Sequence, residues 1–198
     1  MPFAQGSDEL YDGHHLMRYP EGHKEAVRAN ILERAARAFR RDGLSGVSIP
    51  GLMKAAGLTH GGFYGYFDNR DELVAQAVML AAQQTAARVL SEDAVDRNGM
   101  LAGYLSEEHV AHPEFGCVVA ALGSEAPKQS PPVRRAFAEA ARGLLRAVDK
   151  QLRPERRGNA LGDESLRLAA QMVGAIVLAR LVDDTELARR LLAAVRKG

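Results

Sequence analysis

Apolar residues recur every three or four positions along most of this chain, which is the period of an amphipathic α-helix. In the first such segment, residues 23–41, one face carries Val27, Ile31, Ala35 and Phe39, and Gly43 follows as a stop signal. The opposite face of this segment is basic, with Arg28, Arg34, Arg37, Arg40 and Arg41. The same period predicts further helices over residues 70–90, 100–111, 116–126, 133–152 and 166–182, and after 184. The pattern therefore predicts an all-α protein.

The stretch 47–73 predicts two short helices joined by a tight turn, with a third helix beginning behind them. Ser48 is a suitable N-cap, and Pro50 lies in the first turn, where its missing N–H is harmless. Gly57 is placed to end that helix in the left-handed conformation, and Thr59 can cap the next helix. This arrangement is typical of a helix-turn-helix, whose second helix enters the major groove of DNA.

Aromatic residues dominate the second of these short helices. Phe63 and Phe67 are four residues apart and should point into the core, whereas His60, Tyr64 and Tyr66 remain for the outer face. Exposed aromatic hydroxyls and an imidazole favour a contact surface, although a hydrophobic mini-core is the simpler interpretation of the two phenylalanines. Just beyond, Asn69-x-x-Glu72 has the pattern of a capping box for the next helix.

These residues resemble the signature of the TetR family of bacterial transcriptional regulators. The resemblance rests on the turn Ala56-Gly57-Leu58-Thr59, the run Phe63-Tyr64-Gly65-Tyr66-Phe67, and a basic residue, Arg70, at the start of the next helix. Two features depart from the family pattern. Arg70 stands where the family usually has lysine, and an arginine can make the same phosphate contact. The pair Gly61-Gly62 weakens the helix and offers no side chain to a base.

The resemblance implies a homodimeric repressor that binds a palindromic double-stranded DNA operator and is released by a small-molecule effector. It also implies that the helix from Arg70 links the DNA-binding unit to the effector domain. The residues expected to contact DNA are Ser48, Thr59, His60, Gly61, Tyr64, Tyr66 and Arg70. The residues expected to line an effector pocket are Tyr104, Phe115, Cys117, Phe137 and Met172.

Charge and composition divide the chain into three parts. Residues 18–70 hold nine Lys/Arg and five Asp/Glu, and this positive excess coincides with the helix-turn-helix, as phosphate binding requires. We therefore predict a flexible arm (1–19), a three-helix DNA-binding domain (20–70) and a helical effector-binding and dimerisation domain (71–198). A single cysteine cannot form an internal disulfide, which favours a reducing cytoplasm. The longest apolar run, eight residues, is far below the ~20 needed to cross a bilayer, so no membrane partner is expected.

The last two predicted helices indicate a dimer. Residues 166–182 are apolar nearly all round, and a helix of this kind must be covered on more than one side. The simplest arrangement packs both helices against their two-fold mates as a four-helix bundle, and the alternative is one large monomer core. The residues predicted for the dimer interface are Leu166, Ile176, Leu187, Leu191 and Val195.

One short segment carries residues that could bind a metal ion or react chemically. His109, His112 and Cys117 have spacings that can hold zinc, but no second ligand pair exists elsewhere, so we predict no metal site, no cofactor and no enzyme activity. Cys117 resembles the cysteine of a subgroup of TetR repressors that senses electrophiles or oxidants; the alternative is a small buried hydrophobe. Two other classes stay open: a helical metal or thiol enzyme built on the C-terminal part, and an adaptor that binds another protein through its apolar helices.

Overall fold

The computed structural model describes residues 22–90, 96–158 and 160–198, and this part of the chain is helical without strands. The arm predicted for residues 1–19 and most of the polar connection near residue 91 lie outside the described residues. None of the helices within the described ranges is long and apolar enough to cross a membrane.

The helices follow one another along the chain with short connections. In order they are α1 (His23–Asp42), α2 (Ile49–Ala55), α3 (Arg70–Val89), α4 (Arg97–Tyr104), α5 (Glu107–Ala111), α6 (Val118–Leu122), α7 (Pro131–Leu152), α8 (Asp163–Leu181) and α9 (Thr185–Lys197). Three 3-10 segments lie between them, at His60–Gly65, Pro113–Phe115 and Gly123–Lys128. The hydrophobic period thus predicted the long helices to within a few residues.

Local capping explains where several helices begin. Ser48 accepts a hydrogen bond from the N–H of Gly51 at 3.2 Å, and Asn69 accepts one from Glu72 at 2.9 Å, which confirms both predicted caps. The Glu72 carboxylate reaches back to the N–H of Asp68 at 2.7 Å, one residue earlier than a standard capping box. Gly57 has a φ of 74°, as predicted for the end of α2.

Two predicted helices are divided in the structure. The predicted helix over residues 100–111 is split into α4 and α5, because the Ser106 hydroxyl accepts from the N–H of His109 and starts a new helix. The predicted helix over 116–126 is α-helical only in α6, and the chain then tightens into the 3-10 segment that contains Pro127. The first difference places an extra turn at residues 105–106, and the second places one after residue 122.

Two hydrophobic cores hold the molecule together, and they share α3 and α7. The first packs α1, α2, the His60–Gly65 segment and α6 against the N-terminal halves of α3 and α7. The second packs α4, α8 and α9 against the C-terminal ends of α3 and α7. Because α3 and α7 contribute to both cores, a displacement near one core can be carried to the other along a rigid helix.

Candidate DNA interface and ligand cavity

The turn after α2 is closed by backbone hydrogen bonds. The N–H of Gly57 donates to Lys54 at 3.0 Å, and the N–H of Leu58 donates to Met53 at 2.9 Å. Leu52 and Met53 are buried on the inner side of α2. The left-handed Gly57 therefore redirects the chain while the apolar face of α2 stays in the core.

The segment after this turn is a 3-10 helix, not the α-helix that the sequence predicts. Its bonds run between residues three apart, from Gly62 to Thr59 at 3.1 Å and from Tyr66 to Phe63 at 2.9 Å. Gly61, Gly62 and Gly65 explain the difference, since glycine has low helix propensity and the segment is only six residues long. Thr59 is at the N-cap position, but its side chain accepts no capping bond.

Phe63 and Phe67 fix the segment to the core, which confirms their predicted inward orientation. Both side chains are buried, and their rings stack with centroids 5.7 Å apart. Tyr64 points the other way and is 67% exposed. Of the other predicted DNA contacts, Ser48, Thr59, His60 and Gly61 are exposed, whereas Tyr66 is half-buried. The exposed set lies on α2 and the segment that follows it.

Arg70 is half-buried and faces the protein in this structure. Its guanidinium lies 5.6 Å from the centroid of the Phe39 ring and donates to the carbonyl oxygen of Leu44. The N–H of Leu44 donates to the Glu125 carboxylate at 3.1 Å. The peptide groups on both sides of Leu44 are therefore held, one by Arg70 and the other by Glu125, in the loop that leads into α2.

Arg28 supports the DNA-binding unit from α1 in a way that the sequence did not reveal. It donates to the carbonyl oxygen of Tyr66 at 3.1 Å and to Gln76 at 2.7 Å, and it pairs with Glu72 at 3.3 Å. Its guanidinium also lies 4.7 Å from the Phe67 centroid. The apolar period assigned Arg28 to an outer basic face, and no local signal distinguishes this inward contact.

A cavity of about 420 Å³ opens among the C-terminal end of α3, α4, α5 and residues 115–117. Its lining residues are Thr85, Arg88, Val89, Gly99, Met100, Gly103, Tyr104, Ser106, Glu108, His109, His112, Phe115, Gly116 and Cys117. Three of the predicted pocket residues, Tyr104, Phe115 and Cys117, are thus brought together. The other two are placed elsewhere: Phe137 packs in the first core and Met172 is fully buried in the second.

His109 joins two walls of this cavity. Its Nδ1 donates to the carbonyl oxygen of Tyr104 at 2.7 Å, and its Nε2 accepts the N–H of Cys117 at 2.9 Å. Both ring nitrogens are therefore used within the protein, with the proton on Nδ1. A Cβ at Gly116 would lie 2.5 Å from His109 Cδ2 and 2.6 Å from Nε2, so this contact needs glycine there. Within the described residues, no three His, Cys, Asp or Glu side chains form a potential metal cluster.

The pKa of His109 is lowered to about 4, mainly by burial, and the positive charges of Arg180, Arg88 and Arg40 add to this effect. The hydrogen bond to Tyr104 acts in the opposite direction. Folding thus keeps the ring neutral, whereas the unfolded chain takes up a proton below its ordinary pKa of 6.5. Between these pH values the unfolded state binds more protons, so this contribution to stability is complete above 6.5 and is lost as the pH falls towards 4.

Because of His109, the unfolding free energy of the wild type should fall by on the order of 3 kcal/mol between pH 6.5 and pH 4. We expect His109→Gln to lack this decrease. Urea denaturation at several pH values measures this difference. The matched control is His112→Gln, because His112 is exposed and its side chain forms its ion pairs with Glu108 and Glu114 among the described residues. Equal pH dependence of the His109 variant and the wild type would contradict the assignment.

Arg40 connects the cavity wall to α1, and its burial was not predicted. It is 3% exposed, and it donates to the Gly116 carbonyl at 2.9 Å, to Gln84 at 2.8 Å and to Ala36 of its own helix at 2.9 Å. Burial is the main cause that lowers the pKa of Arg40 to about 10. No local signal in the sequence distinguishes Arg40 from the solvent-facing arginines of the same helix.

Phe115, which precedes Gly116 in the cavity wall, is held in a similar manner. Arg88 of α3 donates to its carbonyl oxygen, and the guanidinium of Arg37 of α1 lies 5.0 Å from its ring centroid. The wall formed by residues 115–117 is therefore bonded directly to the helix that supports the DNA-binding segment. It is also bonded to the helix that connects the two cores.

The exposed apolar face of α8 and α9 differs from the predicted interface. Ile176 is 0% exposed because it belongs to the inner stripe of α8 with Leu168 and Met172, so it cannot face a partner. Leu191 and Val195 are half-buried, and the exposed predicted residues are Leu166 and Leu187. Two further leucines, which the prediction did not include, are exposed on α8: Leu178 and, at 74%, Leu181.

Comparisons with known proteins agree with this architecture. Residues 31–77 match the family model described as bacterial regulatory proteins, tetR family. Over 90 residues the chain is 33% identical to the HTH-type transcriptional regulator TtgR of Pseudomonas putida. This match spans 43% of the chain and 42% of the length of TtgR, so it concerns less than half of either protein.

Solved structures resemble a larger part of the chain. A TetR-family regulator from Agrobacterium tumefaciens is similar with a TM-score of 0.71 and 20% identity, over 88% of this chain and 97% of that one. The reduced form of E. coli NemR gives a TM-score of 0.69 and 20% identity, over 87% and 96%. At these identities the similarity shows the fold, and the family is indicated by the sequence matches. The N-terminal part of the chain, residues 31–77, belongs to the TetR family of bacterial regulatory proteins, and α2 with the His60–Gly65 segment forms its DNA-binding helix-turn-helix.

Proposed function

We propose that this protein is a homodimeric repressor that binds a palindromic operator and is released when a small molecule occupies the cavity beside Tyr104 and Cys117. In this proposal residues 20–70 bind DNA, and residues 71–198 bind the effector and form the dimer. The observation that carries it is the direct bonding of the cavity wall to α1 through Arg40. If an effector displaces this wall, the displacement is transmitted through the hydrogen bond of Arg40 to α1, which supports the DNA-binding segment.

Two residue sets carry DNA recognition in this proposal. Phosphate contacts come from Tyr64 and Arg70, and contacts near bases come from Thr59 and His60, with Tyr66 beside them. Ser48 and Gly61 bring the backbone close to the duplex. For Arg70 to reach a phosphate, its guanidinium must leave the Leu44 carbonyl, which it contacts in the free protein. DNA binding is thereby linked to the loop before α2.

Release requires two conformations that the effector binds with different affinity. The cavity lies beside Val89 and Arg88 at the C-terminal end of α3, and α3 begins at Arg70 next to the helix-turn-helix. Enlargement of the cavity would tilt α3 and move α1 through Arg40. In a dimer this motion alters the distance between the two DNA-binding segments, whose spacing must match the half-sites.

The proposal is tested by selecting genomic fragments that the purified protein binds, followed by titration of the recovered site. We expect a palindromic site near the regulated gene and a steep salt dependence. His60→Ala should lose about 1–3 kcal/mol of preference at one base pair of each half-site. His112→Ala, an exposed histidine at the cavity rim, is the matched control and should bind the site as the wild type does. Equal affinity for the recovered site and for random DNA would refute a specific repressor.

A second candidate function is a thiol-responsive repressor, and the placement of Cys117 favours it. Cys117 is the only cysteine, and it lines the cavity. Its thiol would first lose its proton to solvent. The thiolate would then add to an activated C=C bond, so that an S–C bond forms as the C=C π bond breaks and the adjacent carbon takes up a proton from water. The added group would enlarge the wall in the same way as a bound effector.

Comparison of the wild type with Cys117→Ser separates these two functions. If the thiol is the sensor, N-ethylmaleimide should release the wild type from its operator, whereas the serine variant should stay bound. If Cys117 only packs, both proteins should respond alike to N-ethylmaleimide, and a non-covalent ligand should release both. The substitution changes the side-chain volume little, so operator affinity without electrophile should be equal in the two proteins.

A further inference from the structure

The cavity contains a distinctive set of charges. Three arginines lie at or behind its wall: Arg88 lines it, Arg40 contacts the wall at Gly116, and Arg180 donates to the His109 carbonyl at 2.5 Å and to Val110 at 3.3 Å. Among the described residues none of these three pairs with a carboxylate at ion-pair distance. Their hydrogen bonds described above go to carbonyl oxygens and one side-chain amide, and the described carboxylates that act on them without an ion pair are Glu33 on Arg40 and Glu114 on Arg180.

The acidic residues near the cavity lie on its water side or are already paired. Glu108 is at the rim, and its side chain is 81% exposed and 3.7 Å from His112. Glu114 also contacts His112, at 3.3 Å. Glu33, which faces Arg40 from within α1, pairs with Arg37 at 2.8 Å. Arg88 is itself exposed, whereas Arg40 is buried and Arg180 is half-buried. Because water screens exposed charges more strongly than buried ones, these two inner arginines dominate and the field inside the cavity is positive.

The inner end of the cavity combines apolar surface with one unsatisfied donor. Val89 and Met100 are buried and line it. Tyr104 also lines it, and its hydroxyl is buried without a hydrogen-bond partner among the described residues. The Cys117 thiol lies beside that hydroxyl, but sulfur is a weak acceptor. A small movement of the Tyr104 ring would let its hydroxyl donate a hydrogen bond to a ligand oxygen. This bond would remove the free-energy cost of leaving a buried donor unpaired.

From these three observations we infer that the cavity binds a small organic carboxylate, with an apolar or aromatic body against Val89 and Met100 and its anionic end towards Arg88 and the Tyr104 hydroxyl. The inference rests on the proposal that this cavity is the effector site, and it adds the chemical class of the effector. A cationic ligand would meet three like charges. A neutral ligand would leave those charges without an ion pair, so it would gain less from the same space.

The test is isothermal titration of the full chain, without DNA, near neutral pH. The probes are benzoate, naphthoate and decanoate, each compared with its neutral amide, and naphthylmethylamine as a cation. At least one carboxylate should bind about tenfold more tightly than its amide, and the amine should bind most weakly. Arg88→Gln should remove most of this difference. Arg142→Gln, an exposed arginine of α7 that pairs with Glu139, is the matched control and should keep it.

Tyr104→Phe supplies an independent measurement, because it retains the ring and removes only the hydroxyl. We expect it to fold at least as stably as the wild type, since it deletes an unpaired buried donor, and to bind the carboxylate several-fold more weakly. Equal affinity for carboxylates and amides, preference for the amine, or no carboxylate binding below about 1 mM would overturn the inference.

The carboxylate inference and the proposed function can fail independently of each other. Carboxylate binding without release of the operator would support the inferred carboxylate ligand and contradict an effector role for the cavity. Release of the operator by a neutral or cationic compound that competes for the same cavity would support the proposed function and overturn the carboxylate inference.

Discussion

Replacement of Leu181 by arginine is expected to convert the proposed homodimer into a monomer that no longer binds the proposed operator tightly. Leu181 lies at the end of α8, is 74% exposed and shares a helix face with Leu178, three residues earlier; Leu166 of α8 and Leu187 of α9 are exposed as well. If this face is covered by a second copy, the new charge enters an apolar contact without a partner. We expect a loss of about 3–5 kcal/mol in dimerisation free energy, measurable by sedimentation at several concentrations.

The effect on DNA follows from symmetry. A monomer contacts one half-site, so operator affinity should fall by at least about 100-fold while circular dichroism shows the same helix content. The matched control is Leu90→Arg, because Leu90 is also an exposed leucine, at the C-cap of α3. A Leu181→Arg protein that sediments as a dimer and binds its operator normally would exclude this interface. Ile176→Arg is expected to unfold the chain, because Ile176 is buried within it.

Replacement of Arg40 by methionine is expected to destabilise the protein and to separate the cavity from the DNA-binding unit. Methionine fills a similar volume, but the Gly116 carbonyl and the Gln84 side chain lose the donor that Arg40 gives each of them. Such losses in a buried place cost about 1–3 kcal/mol each, so we expect a decrease of roughly 2–5 kcal/mol in unfolding free energy. Arg41→Gln, at an exposed neighbour paired with Asp42, should change it by less than about 1 kcal/mol.

The loss of coupling is measured by hydrogen exchange with and without operator DNA. Linkage requires that, if the wall influences DNA binding, DNA binding influences the wall. In the wild type, operator should therefore change the exchange rates of the amides around residues 115–118. In Arg40→Met this response should disappear, although the variant still binds the operator through its intact helix-turn-helix. A response of the same size in both proteins would show that Arg40 does not carry the coupling.

The sequence predicted the elements whose period is simple. Helices α1, α3 and α7 have one apolar face, and their predicted limits agree with the structure to within a few residues. The caps at Ser48 and Asn69 and the inward positions of Phe63 and Phe67 also followed from local rules. In each of these cases the residue that decides the structure lies within four positions of the residue that it affects.

The errors arose where contacts distant in sequence decide the outcome. Helix α8 is apolar nearly all round, so its period could not indicate whether Ile176 or Leu181 faces outward. Arg40 is charged, and a charged residue on a helix is normally assigned to solvent; its burial is explained by two distant partners, the side chain of Gln84 and the carbonyl of Gly116, 76 residues away. The cavity combines residues from four parts of the chain, and no local pattern could show that Phe137 and Met172 lie outside it.

The steric requirement at Gly116 has a consequence for how relatives of this protein are classified. A side chain at this position would overlap the imidazole of His109, so the glycine follows from the contact between His109 and the Cys117 N–H. Any relative that retains this contact must retain the glycine, whether its thiol reacts or not. A search for redox regulators that uses the Gly-Cys dipeptide as its criterion will therefore select for the presence of the histidine contact. A criterion for thiol reactivity has to be sought in the groups around the sulfur, among them the hydroxyl of Tyr104 and the charge of Arg180.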